Sequence, residues 1–127
     1  MIKKFTHVTV LVKNIDEALQ FYTNQLGLKK HTDVTMPDGF RWTTVCAQGQ
    51  EDFEIILMQA STDQERALVG AAPSVGGLET DDCRKTFTEL KKRGVKFIGE
   101  PVEEAWGIGV AFEDLYGNKF YLNQPKH

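Results

Sequence analysis

The chain is poor in several features that would assign a protein to a class at once. It has 127 residues, only two cysteines and four prolines, and a net charge of −3. Cys46 and Cys83 have no CxxC spacing, which favours reduced thiols and, by default, a cytoplasmic protein. The negative charge and the lack of a long Lys/Arg cluster argue against a nucleic-acid partner. No apolar run is long enough to cross a membrane, and residues 1–4 lead into a strand pattern instead of a signal sequence.

The helix and strand patterns that are present follow one order twice. The first half is predicted to contain a strand over 5–12, a helix from its N-cap Asn14 to Gly27, and strands over 28–34, 40–47 and 53–59. The second half is predicted to contain a strand over 75–80, a helix capped by Asp81 and ended by Gly94, and strands over 95–98, 107–113 and 119–123. Turn-forming residues predict a connector after the first half, with a short helix over 64–68 inside it, and a loop over 101–106 in the second half.

The two halves match at a constant offset of 67 residues, which places Gly27 on Gly94 and Val45 on Phe112. Such internal similarity predicts two modules, approximately 1–60 and 74–127, joined by a connector over 61–73. A single strand–helix–three-strand module cannot cover both faces of its own sheet. The predicted fold is therefore α+β, with paired βαβββ modules forming a curved mixed β-sheet around a ligand cavity in a homodimer.

Glu54 stands out because it lies in the apolar run 53–58. An ionised carboxylate among apolar neighbours is costly unless a cation, a metal or several hydrogen-bond donors meet it. Glu54 is therefore a candidate functional residue. An alternative interpretation, in which Glu54 lies on an edge strand and reaches water, remains open at this point.

Five motifs in this order resemble the vicinal oxygen chelate superfamily, which includes glyoxalase I, bleomycin-resistance proteins, extradiol dioxygenases and fosfomycin-modifying thiol transferases. They are the opening strand with His7, the helix signature over 16–28, the Arg41-Trp42 pair, Glu54, and the closing turn over 114–118. The resemblance covers essentially the whole chain. It implies the fold described above and a small-molecule ligand or substrate.

In metal-using members of this superfamily, the first and last strands of each module supply the ligands. The resemblance therefore implies a divalent Zn, Ni, Mn or Fe ion on His7 and Glu54. In the second module the 67-residue offset places Ser74, or Val75 with one residue of slippage, opposite His7. The same offset places Tyr121 opposite Glu54, which makes Tyr121 the third candidate ligand.

Two functions follow from the resemblance. The first is a glyoxalase-type lyase or isomerase, with or without the help of a metal on an incomplete ligand set, in which Glu54 shuttles a proton. The second is a metal-free, bleomycin-resistance-like protein that binds a drug or other small molecule between aromatic walls. Candidates for those walls are Trp42, Trp106, Phe53 and Tyr121. Without a metal, a hydrogen bond between His7 and Glu54 would form a dyad with the character of a general base.

Three further residues each have two interpretations. Arg41 is either an anion anchor for the ligand or a surface residue, and only one of Arg41 and Trp42 can face the ligand because neighbours on a strand alternate. Trp106 is either a lid over the cavity or a dimer contact. Cys83, near a helix start, is either a reactive thiol or a small buried residue.

Overall fold

The computed structural model describes residues 1–126 and contains two compact units, residues 1–69 and the residues from Gly70 onward. Each unit contains a four-stranded mixed sheet and a helix that follows its first strand. The predicted α+β class and the order strand, helix, three strands are thereby confirmed for both units. Within residues 1–126, no helix is long and apolar enough to span a membrane.

The elements of the first unit begin and end close to their predicted bounds. They are β1 His7–Val12, α1 Ile15–Gln20 with a π-helical continuation Phe21–Gln25, β2 Lys29–Thr35, β3 Arg41–Ala47, β4 Gln50–Gln59 and α2 Asp63–Leu68. The elements of the second unit are β5 Gly76–Glu79, α3 Cys83–Lys92, β6 Lys96–Glu104, β7 Gly107–Glu113 and β8 Lys119–Pro125.

Local side-chain chemistry sets the helix ends. The Asn14 side chain accepts a hydrogen bond from the Glu17 backbone N–H, which caps α1 as predicted. Gly27 has a φ of 78°, a left-handed conformation that ends a helix at little steric cost. The cap predicted for α3 is wrong by one residue, since Asp82 and not Asp81 accepts from the Lys85 N–H.

The first sheet has the strand order β1-β4-β3-β2, so β4 lies in its interior. The edge-strand interpretation of Glu54 is therefore wrong. One face of this sheet carries the buried side chains of Val10, Val45 and Leu57, and α1 contacts the sheet at β4. Glu54 is three residues before Leu57 in β4, so its side chain lies on the opposite face of the sheet. We call this face the Glu54 face.

A β-bulge in β2 shapes the Glu54 face. Lys30 pairs with Val45 and Thr32 pairs with Thr44, so β2 advances two residues where β3 advances one. The extra residue is His31. Because a bulge bends its strand and redirects the unpaired side chain, His31 has an orientation that simple alternation along β2 does not predict.

The second sheet has the order β5-β8-β7-β6, and its core is aromatic. Phe112 is fully buried and contacts the rings of Phe97 and Phe120. The loop predicted over 101–106 is wrong in part, because β6 continues to Glu104 after an irregularity between Ile98 and Val102.

The pairing of β5 also differs from the simple repeat. Gly77 is the register partner of Tyr121, whereas the constant offset predicted Ser74 or Val75 at that position. The correspondence between the two units is therefore shifted along β5. In the first unit His7 on β1 is the register partner of Glu54 on β4. In the second unit Gly77 on β5 is the register partner of Tyr121 on β8.

Candidate functional site

The Glu54 carboxylate is the centre of a hydrogen-bond network on the Glu54 face. Its Oε1 accepts from Thr44 Oγ1 at 2.7 Å and lies 2.5 Å from His31 Nδ1. Thr44 Oγ1 in turn accepts from the Thr32 backbone N–H at 3.1 Å. Three neighbouring strands thus contribute to one network around a single carboxylate oxygen.

The network favours the ionised form of Glu54. Burial opposes ionisation, but the hydrogen bonds from Thr44 and His31 outweigh it and hold the pKa of the Glu54 carboxyl below its usual value. The Glu54 side chain keeps 21% of its surface exposed and that of His31 keeps 32%. The pair is therefore structurally supported on one side and accessible on the other.

His7 is close to this network but is not its main partner. It is the register partner of Glu54 across β1 and β4, and it makes a minor contribution to the lowered pKa of the Glu54 carboxyl. Its own Nδ1 lies 3.0 Å from Thr6 Oγ1. The dyad predicted from the sequence is thus formed with His31 in place of His7. Sequence patterns missed His31 because no local signal marks the bulge that brings it to Glu54.

Arg41 and Trp42 lie on opposite faces, as their adjacent positions predicted. The Arg41 guanidinium makes two 2.9 Å hydrogen bonds to Asp33 and a 2.9 Å ion pair with Asp16. Asp33 and Asp16 both raise the pKa of Arg41 above its usual value. Because two carboxylates already neutralise Arg41, its main structural role is to join β2, β3 and α1. The anion-anchor role stays a prediction.

Trp42 occupies the Glu54 face, two residues from Thr44. Its ring centroid lies 6.1 Å from that of Phe40, which is itself exposed. Phe53, another predicted wall residue, alternates with Glu54 and lies on the other face, where its ring contacts Phe5. Trp42 therefore lies on the Glu54 face, and Thr44 separates it from Glu54 along β3.

The ion pair between Asp33 and Arg41 predicts that part of the free energy of unfolding is lost at low pH. Hydrogen bonds from Arg41 hold the pKa of Asp33 below its usual value, so the ionised form stabilises the folded state. This stabilisation is present above the unfolded pKa and is lost as the pH falls through the folded pKa. We expect Asp33→Asn to lower the free energy of unfolding by about 1 kcal/mol at neutral pH and by almost nothing near pH 2.

Urea unfolding of wild type and Asp33→Asn at the two pH values measures this difference. Asp16→Asn is the control, because the Asp16 side chain is 77% exposed and its pair with Arg41 is screened by water. An equal loss of stability at both pH values for Asp33→Asn would contradict the assignment.

The second unit carries an aromatic patch, which we define as Trp106, Tyr121 and Gly109. The ring centroids of Trp106 and Tyr121 lie 6.0 Å apart. A methyl group added to Gly109 would overlap the phenol ring of Tyr121, so this ring lies directly on the Gly109 backbone. Trp106 is 47% exposed. The patch therefore joins two of the predicted ligand-binding residues on one surface.

The two cysteines are free, buried thiols. Burial raises the pKa of Cys46 and of Cys83 above the usual value. Cys83 is the first residue of α3, and its backbone N–H donates to Gln124 Oε1 at 2.8 Å. The interpretation of Cys83 as a reactive thiol of lowered pKa is therefore wrong, and it is a small core residue.

The donors in the first unit do not fit a firmly held divalent ion. Among residues 1–126, no three His, Cys, Asp or Glu side chains form a group that would bind a metal. One oxygen of Glu54 is already engaged by two protein donors, and structural or catalytic metal sites take three or four protein ligands. The predicted set of His7, Glu54 and Tyr121 takes its third member from the second unit and stays a prediction.

Three known proteins are similar to this chain over most of their length. The crystal structure of UcmS2 matches with a TM-score of 0.89 and 32% identity, covering 97% of this chain and 98% of that one. TnmS3, an antibiotic binding protein from Streptomyces sp. CB03234, matches with a TM-score of 0.84 and 29% identity, covering 98% of each chain. The lactoylglutathione lyase of Neisseria meningitidis is 26% identical over 126 residues, which cover 97% of this chain and 91% of that protein.

The family assignment rests on the match to a family model. The model for the Glyoxalase/Bleomycin resistance protein/Dioxygenase superfamily matches residues 4–122. This range includes every helix and strand of the first unit, those of the second unit as far as Leu122 in β8, the Glu54 network and the aromatic patch. The chain belongs to the glyoxalase/bleomycin resistance protein/dioxygenase superfamily.

Proposed function

We propose that this chain binds an amphipathic, aromatic small molecule without using a catalytic metal. The observation that carries the proposal is the aromatic patch, where Tyr121 lies on the bare backbone of Gly109 beside the half-exposed Trp106. Aromatic rings on a surface of this kind offer a large apolar contact area and favourable ring–ring geometry. The Trp42 and Phe40 pair gives the first unit a second aromatic surface.

Two further observations support this proposal. Glu54 receives its hydrogen bonds from His31 and Thr44, so the protein itself compensates for the buried part of its charge. TnmS3, which has the same fold at 29% identity, is an antibiotic binding protein. We also infer that the protein forms a homodimer. Sedimentation or light scattering of the purified protein would test this by measuring its molar mass.

A second candidate function is a lyase or isomerase reaction. It is favoured by the ionised Glu54 on the last strand of the first unit and by the similarity to lactoylglutathione lyase. In such a reaction the Glu54 carboxylate would accept a proton from a substrate carbon and return it to the neighbouring atom. Turnover of a hemithioacetal that is lost in Glu54→Gln would favour this candidate over the binding protein.

The binding proposal predicts a loss of affinity when the aromatic patch is altered. N-phenyl-1-naphthylamine is a neutral aromatic probe whose fluorescence rises in apolar surroundings. We expect wild type to bind it, and we expect Trp106→Ala or Gly109→Ala to weaken binding about tenfold or more. Gly109→Ala acts indirectly, because the added methyl group displaces the Tyr121 ring.

Leu115→Ala is the matched control, since Leu115 is also 47% exposed but lies in the turn before β8. Titrations in the presence and absence of EDTA test the role of a metal, and we expect equal affinities. The proposal is contradicted if the probe does not bind, if Trp106→Ala binds as well as Leu115→Ala, or if EDTA abolishes binding.

A further inference from the structure

His31 combines three properties that a structural residue does not need. It is the extra residue of the β2 bulge, it makes a 2.5 Å contact with Glu54, and a third of its side chain is exposed. Its Nδ1 is the nitrogen that meets Glu54. The second nitrogen, Nε2, lies on the other side of the imidazole ring from this contact.

The hydrogen-bond network determines where the imidazole proton lies. Thr44 Oγ1 accepts from the Thr32 N–H and donates to Glu54 Oε1. An ionised carboxylate has no proton to donate, so Glu54 accepts a hydrogen bond from its second partner as well as from Thr44. The proton in the contact between Glu54 and His31 is therefore supplied by Nδ1. In the neutral ring this arrangement leaves a lone pair on Nε2.

We propose that Glu54 and Thr44 fix His31 in the Nδ1–H tautomer, so that Nε2 accepts a hydrogen bond from a hydroxyl group of the ligand. Trp42 lies on the same face, separated from Glu54 by Thr44 along β3, and adds aromatic surface to this face. The ligand class is an aromatic small molecule that carries a phenolic or alcoholic hydroxyl. The ligand part rests on the proposed function, whereas the tautomer of His31 does not.

Nuclear magnetic resonance tests the tautomer without any ligand. Long-range ¹H–¹⁵N spectra at about pH 8, above the ordinary histidine pKa of about 6.5, distinguish protonated from unprotonated ring nitrogens. We expect a protonated Nδ1 and an unprotonated Nε2 for His31, with the signals assigned by their loss in His31→Asn. In Glu54→Gln the neutral amide no longer imposes a proton on Nδ1, and the Nε2–H form becomes populated. A predominant Nε2–H form in wild type overturns the proposal.

A matched pair of ligands tests the acceptor role of Nε2. 2-Naphthol and 2-methoxynaphthalene have the same ring system, but only 2-naphthol has a hydroxyl donor. We expect wild type to bind 2-naphthol about five- to tenfold more tightly, the value of one added hydrogen bond. His31→Asn keeps a donor near the position of Nδ1 but lacks Nε2, so this preference disappears while the affinity for 2-methoxynaphthalene stays the same.

Lys30→Asn, at an exposed neighbouring position, is the control and keeps the preference. A preference for 2-naphthol that survives in His31→Asn overturns the acceptor role. If neither naphthalene binds, the selection for a hydroxyl is overturned together with the proposed function, while the spectra decide the tautomer on their own. The two failures are thereby distinguished.

Discussion

Replacement of Asp114 by alanine is expected to lower the free energy of unfolding by about 3 kcal/mol. The Asp114 carboxylate is buried in the turn between β7 and β8. Its Oδ1 accepts from the backbone N–H groups of Tyr116 and Asn118 at 2.8 and 2.9 Å, and its Oδ2 accepts from the Asn118 amide at 2.8 Å. Alanine would leave these donors without an acceptor in a place that water reaches poorly.

Loss of the Asp114 carboxylate would also affect the start of the second unit, because Asn118 connects the two. Asn118 is also buried, and its Oδ1 accepts from the Gly70 N–H at 3.0 Å. Asp114→Asn is the graded control, because it keeps one acceptor oxygen and is expected to cost less than Asp114→Ala. Urea unfolding followed by circular dichroism measures both variants. A loss below about 1 kcal/mol for Asp114→Ala would contradict this account of the turn.

Replacement of Phe112 by alanine is expected to cost more, about 3–5 kcal/mol, because it opens a cavity in the core of the second unit. The Phe112 side chain is fully buried. Its ring stacks on that of Phe120 at 5.5 Å and lies 5.7 Å from that of Phe97. Both neighbours would lose contacts that no other side chain can replace without a shift of the sheet.

Phe112→Leu and Ile98→Ala provide the comparison for this variant. Leucine retains most of the volume, so we expect a loss of roughly 1–2 kcal/mol. Ile98 is an exposed residue of the same unit, and its truncation is expected to change stability by less than about 0.5 kcal/mol. Equal losses for Phe112→Ala and Ile98→Ala in thermal unfolding would show that the aromatic core is not the main source of stability.

The features of the fold that depend on local chemistry were predictable from the sequence. Asn14 caps α1 because its short side chain reaches a backbone N–H, and Gly27 ends the helix because it adopts a positive φ. The doubled order of strands and helices follows from apolar periodicity, which reflects burial on one face. The candidacy of Glu54 for a functional role follows from the same patterns, whereas its place in an interior strand was left open by the sequence and comes from the strand order of the sheet.

The features that depend on strand pairing were not predictable. The pairing of Gly77 with Tyr121 belongs to the short parallel ladder between β5 and β8, whereas a constant offset assumes that no residue is inserted or lost. The extension of β6 requires a positive φ at Gly99, and the sequence does not distinguish that glycine from one in a loop. Thr44 and His31 meet Glu54 across neighbouring strands, and this proximity is a property of the sheet alone.

The bulge in β2 has a consequence for how this site is gained or lost in evolution. Lys30 and Thr32, which flank His31, already pair with consecutive residues of β3, Val45 and Thr44. Deletion of the single codon for His31 would therefore leave a continuous, regular ladder with every other side chain on its present face. The imidazole beside Glu54 would then be gained or lost in one step with the rest of the sheet retained, which circular dichroism and urea unfolding of the deletion variant would check.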